Sequence, residues 1–71
     1  MEQDWMMVYS TMDKFHAMYI KEMLEEELIL VVLFNKTEGP YAQGILQGEI
    51  ELYVHYKQAE AALEFIYNLP E

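Results

Sequence analysis

Seventy-one residues make one domain, residues 1–71, with no room for a second, and a chain this short buries only about 60% of its unfolded surface. No cysteine is present to add a disulfide or a thiolate metal site, and 54% of the residues are hydrophobic, which predicts a densely filled core or an apolar surface that another subunit covers. Four lysines against thirteen carboxylates leave a formal net charge of −9, which excludes the basic footprint of a nucleic-acid binder and disfavours an anionic membrane.

The chain opens Met1-Glu2-Gln3-Asp4, without the positive start and apolar run of a signal peptide. Trp5 to Tyr9 follows, aromatic, Met and Val, and reads as a strand. Ser10 and Thr11 offer hydroxyl caps, with Asp13 well placed for a first helical turn. Residues 12–27 have helical spacing: Ala17, Ile20 and Leu24 form the inward stripe and Met23 widens it. Glu25, Glu26 and Glu27 close this helix against its own dipole, by some tenths of a kcal/mol each. Something else must hold that end.

Leu28 to Asn35 is a β-branched and aromatic run, a second strand, stopped by the turn cluster Asn-Lys-Thr-Glu-Gly-Pro. Its apolar part, Leu28 to Phe34, is far too short to span a bilayer, and the chain is expected in the cytoplasm. All three glycines fall in the connection from Lys36 to Gly48. Residues 49–56 then alternate, with Ile50, Leu52 and Val54 on one face and Glu49, Glu51, Tyr53 and His55 on the other, as in a half-buried antiparallel strand. Lys57 to Leu69 is a second helix, its inward stripe Ala59, Ala62, Leu63 and Ile66, ended by Pro70.

The order β-α-β-β-α predicts an α+β fold. A strand, helix and parallel strand close by a right-handed crossover, and the third strand then fits between the first two. The result is a three-stranded antiparallel sheet of order 1-3-2 with both helices on one face, the ferredoxin-like plan without its last strand.

Few residues carry a chemical signature. His16 and His55 are the only histidines; His55 lies near Glu49 and Glu51, but no third ligand follows, and surface histidine is the better reading. Ser10, Asp13 and His16 supply triad residue types, yet a helix start already accounts for Ser10 and Asp13, and a domain this small offers little cleft for an oxyanion hole. Neither a catalytic centre nor a cofactor is expected. The loop residues Lys36, Gly39, Tyr41, Gly44 and Gly48 could cradle an anion through backbone amides, although the spacing matches no phosphate-binding fingerprint. The sheet's second face says most. If Ile29, Val31 and Leu33 meet the helices, then Leu30, Val32 and Phe34 point away, joined by Met7, Tyr9 and Tyr53, with Trp5 near the edge. An apolar face of that kind marks an interface.

The stretches Val8-Tyr9-Ser10-Thr11, Leu24-Glu25-Glu26-Glu27, Val31-Val32 and Phe34-Asn35-Lys36, followed by a glycine-containing loop and then Gly48-Glu49-Ile50-Glu51-Leu52-Tyr53-Val54, resemble a family of short prokaryotic signal-transducing proteins. The resemblance runs from about Met7 to Ile66, mostly through core positions such as Ala17, Ile20, Ile29, Ala59 and Ala62. It implies a domain of unknown function with a fold likened to the PII (GlnB-like) regulators, in which the loop between the second and third strands is regulatory. The family usually has Gly after the first helix, where this chain has Leu28, and Pro with acidic residues before the second, where this chain has His55, Tyr56 and Lys57. The expected function is a non-enzymatic regulatory or interaction module. It would self-associate, as a dimer, through Met7, Tyr9, Leu30, Val32, Phe34 and Tyr53, and meet an unidentified protein partner. The alternative is an anion or nucleotide sensor using loop 36–48.

Overall fold

A computed structural model describes residues 4–35 and 50–70. Within them the chain forms β1 (Trp5–Thr11), α1 (Lys14–Glu26), β2 (Val31–Asn35), β3 (Ile50–His55) and α2 (Tyr56–Tyr67). The sheet is three-stranded, ordered β1-β3-β2, with β3 antiparallel to both neighbours. This is the α+β arrangement that the element order predicts. The connection 36–49, and with it the glycine loop, lies outside the described residues.

Helix α1 begins later than its spacing suggests, and Asp13 is the reason. Its carboxylate accepts from the backbone N–H of Phe15 at 3.0 Å and of His16 at 3.3 Å, two amides that have no partner inside the helix. Asp13 is therefore the cap itself rather than a first-turn residue. The Thr11 hydroxyl accepts in turn from the Asp13 N–H at 3.1 Å, while Ser10 stays within β1. One face of α1 then buries Ala17, Ile20 and Leu24, the stripe read from the sequence.

The acidic end of α1 is held by its backbone. The Ile29 N–H donates to the Leu24 carbonyl at 3.1 Å, and the Leu28 N–H donates to the Glu25 carbonyl at 3.0 Å. These two bonds make a Schellman turn, with Leu28 as the residue past the cap. Leu28 has φ of 64°, the left-handed conformation that costs a residue with a Cβ on the order of 1 kcal/mol. The chain accepts that strain at the place where glycine is expected. In return, Ile29 drops into the core next to Leu24. Because the turn uses residues 27–28, β2 starts at Val31 rather than at Leu28.

Helix α2 follows β3 without a connecting residue. His55 ends the strand and caps the helix, its Nδ1 accepting from the Lys57 N–H at 3.2 Å. The next amide, Tyr56 N–H, donates to the Asp4 carbonyl at 2.7 Å, which carries the β1–β3 pairing one step beyond the strand. An imidazole thus serves as the cap at the junction where the sequence departs from the acidic residues usual in the family it resembles. It can do so only with Nδ1 unprotonated.

Leu24, Leu52 and Val54 are the fully buried centre of the core, surrounded by Val8, Ile20, Ile29, Val31, Ala59 and Ala62. Each buried Leu or Val contributes about 1.5–3 kcal/mol relative to exposure. In α2, which ends at Tyr67 rather than at Leu69, Ala59 and Ala62 lie inside, and Phe65, Ile66 and, past the helix, Leu69 pack partly against the cluster. Leu63 does not join them and remains 48% exposed.

Candidate interaction surface

Strand register divides the sheet into two faces. Residues paired with Leu52 and Val54 share their side, so Val31 and Leu33 lie beneath the helices. Val32, opposite Tyr53, and Phe34, opposite Glu51, point to the other face. Exposure follows the same alternation: Ile29 and Val31 are buried, whereas Leu30 is 62%, Val32 36% and Phe34 49% exposed. No described helix covers that second face.

On β1 the alternation is interrupted. Met7 pairs with Tyr53, but the next paired residue is Tyr9, opposite Leu52, with Val8 as the extra residue of a bulge. A bulge puts two residues of one strand opposite one of its partner and turns the second of them over. Val8 and Tyr9 therefore both face the helices. Tyr9 packs against the core cluster, and its ring centroid lies 5.5 Å from that of His16. Its expected place on the open face is thus corrected. Met7, 49% exposed, remains there, and Ser10, opposite Glu51, lies there too.

Two rows cross the open face, Met7–Tyr53–Val32 and Ser10–Glu51–Phe34. Glu51 departs from the expectation of a solvated strand carboxylate: it is 7% exposed, and the Tyr53 hydroxyl donates to its Oε1 at 2.8 Å. A carboxylate with a charge-assisted bond of this kind can sit within apolar surroundings. Ser10 and Phe34 flank it in register, Met7 and Val32 lie one row further along beside Tyr53, and Trp5 is half-buried at the margin, its ring set edge-on to His55 at 5.9 Å.

The other candidates of the sequence are placed as follows. Ser10 faces the open side while His16 stacks between Tyr9 and Tyr19 on the helix side, at 5.5 and 6.3 Å, so the sheet separates the triad residue types. His55 is engaged as a cap and against the Tyr56 ring at 4.7 Å. Among the described residues, no three His, Asp or Glu side chains gather to hold a metal ion. Lys36, Gly39, Tyr41, Gly44 and Gly48 lie outside the described residues. No described helix is long and apolar enough to cross a membrane.

One feature was beyond sequence reasoning: a groove of about 470 Å³ between α1 and the outer edge of β2. Its walls come from residues far apart in the chain, and no local pattern signals it.

These features define a class, a small α+β module with a three-stranded sheet whose open face is largely apolar. The chain belongs to the family described as "Putative prokaryotic signal transducing protein", whose model matches residues 5–69 and so spans every element of the fold. No curated protein and no solved structure matches it.

Proposed function

We propose that this chain is a non-enzymatic signal-transduction module that self-associates through the open face of its sheet. The single observation behind this reading is the side-by-side exposure of Met7, Leu30, Val32 and Phe34 on a face that no described helix covers. Exposed apolar patches of this kind serve as contacts between proteins.

A second copy is the occupant that charge favours. Two molecules of formal charge −9 repel each other over most of their surfaces. On the open face the strands present one described carboxylate, Glu51, and that group already accepts the Tyr53 hydroxyl. Two such faces can meet without setting exposed carboxylates against each other. The likeness to PII (GlnB-like) regulators and a cytoplasmic location belong to the same proposal.

Sedimentation velocity tests it. The native chain should sediment as a dimer, and Val32→Asp should sediment as a monomer that keeps its far-ultraviolet circular dichroism. A native chain that remains monomeric at every concentration overturns the proposal.

A further inference from the structure

We infer that the free edge of β1, overhung by the outer flank of α2, docks an extended, basic segment of a partner protein as a fourth strand of the sheet. The contact runs through backbone at the sheet's edge rather than through its open face, and so goes beyond self-association.

The strand order leaves β1 paired on one side only. The bond from the Tyr56 N–H to the Asp4 carbonyl fixes which of its groups are free, because bonded and non-bonded pairs alternate along an antiparallel ladder. With Asp4 bonded, Trp5 and Met7 fall on non-bonded pairs with His55 and Tyr53, and past the bulge Ser10 does so with Glu51. Their N–H and C=O groups point away from β3 and meet no partner among the described residues. Native edges are commonly blunted by lysine, proline or other charge. The edge strand β1, Trp-Met-Met-Val-Tyr-Ser-Thr, has none of these, and its bulge at Val8 leaves Trp5 and Met7 regularly spaced.

The side chains above this edge are apolar and uncovered. Met6 pairs with Val54 and so shares the helix side of the sheet, yet Met6 is 47% exposed where Val54 is fully buried. Helix α2 packs on β1 and β3, and Gln58, bonded to Leu28, marks the flank it turns toward α1. At about 100° per residue, Tyr56, Glu60, Leu63 and Tyr67 form one stripe on the opposite flank, and all four are exposed. A strand laid along β1 sets alternate side chains against Met6 and this stripe. Backbone bonds then supply affinity and the side chains specificity.

Charge selects the partner. Neither β1 nor the stripe carries a lysine; Glu60 lies on the stripe and Asp4 at the start of the strand. A second copy would bring its own Asp4 and Glu60 and a further net charge of −9. A segment of alternating apolar residues with lysine or arginine at its ends complements both the ledge and the acidic field of the chain.

The test is selection of short random peptides displayed on phage against the full chain, then amide hydrogen exchange of the ¹⁵N-labelled protein with the tightest-binding synthetic peptide. Recovered peptides should alternate apolar and polar residues and carry basic ends. Binding should slow exchange at Trp5, Met7 and Ser10 and leave Met6 and Thr11, already bonded to β3, unchanged. N-methylation of the peptide amides that face β1 should abolish binding, and N-methylation of the alternate set should not. Leu63→Lys should weaken binding roughly tenfold, as loss of an apolar contact at such an interface does. Recovery of no peptide that protects the three amides, or equal effects of the two methylated sets, overturns the site. Acidic binders overturn the basic assignment, and protection of the same amides by concentration of the chain alone overturns the partner in favour of a second copy. Val32→Asp separates this site from self-association: the peptide should bind that variant equally well, and loss of binding there would move the site to the open face.

Discussion

The side-chain amide of Gln58 donates to the backbone carbonyl of Leu28 at 3.2 Å, across 30 residues of sequence. This bond ties the first turns of α2 to the strained turn that ends α1. The acidic terminus of α1 is thus fixed by the Schellman bonds from within and by Gln58 from outside, which offsets three glutamates placed against the dipole.

The strain at Leu28 can be removed at little cost, because its side chain is 87% exposed and packs against almost nothing. Leu28→Gly should stabilise the fold by roughly 0.5–1 kcal/mol, since glycine enters the left-handed region freely but adds freedom to the unfolded chain. Thermal denaturation should show a Tm several degrees higher. A lower Tm would show that Leu28 contributes packing that its exposure conceals.

Asp13 and Ser10 both resemble helix caps in the sequence, and only one of them is a cap. Asp13→Ala should cost about 1 kcal/mol by loss of the two amide bonds at the start of α1. Asp13→Ser should recover much of that, and Ser10→Ala should lie within about 0.5 kcal/mol of the native chain. Urea denaturation of the three variants measures the ranking.

The two leucines of the expected stripes differ in the same way. Leu24→Ala, at a fully buried position, should cost about 2–5 kcal/mol, enough to unfold much of a domain with so thin a margin. Leu63→Lys, at a half-exposed position of α2, should stay within about 1 kcal/mol by chemical denaturation. Comparable losses for the two would place Leu63 in the core after all.

The bulge at Val8 makes neighbouring residues of β1 behave differently. Met7→Lys should weaken self-association in sedimentation while leaving the fold intact. Tyr9→Lys should instead lower stability, by burying an ammonium against the core cluster, and should not yield a folded monomer. The reverse pattern would mean that β1 keeps its simple alternation.

His55 caps α2 with a ring that also meets Trp5 and Tyr56. His55→Asn should keep the cap and lose the aromatic contacts, whereas His55→Ala should lose both and cost about 1 kcal/mol more than His55→Asn. Equal losses, measured by urea denaturation, would show that the rings and not the cap hold this junction.

Periodicity in the sequence was enough to identify the elements, their order and most of the core. Ala17, Ile20 and Leu24 recur with helical spacing, and Ile50, Leu52 and Val54 alternate. Burial follows these local repeats because a side chain's direction is set by the backbone next to it. The strand order followed as well, since a right-handed crossover leaves few topologies to choose from.

Tertiary structure decided what local pattern does not encode. The bulge at Val8 depends on how β1 meets β3, so Tyr9 turned inward although its own neighbours say otherwise. Leu28 accepts a left-handed backbone because packing Ile29 against Leu24 outweighs the strain. Glu51 is buried and takes the Tyr53 hydroxyl. The groove beside Lys14 exists only once α1 lies against β2. Each of these depends on two segments meeting in space, and a one-dimensional repeat records only one of them.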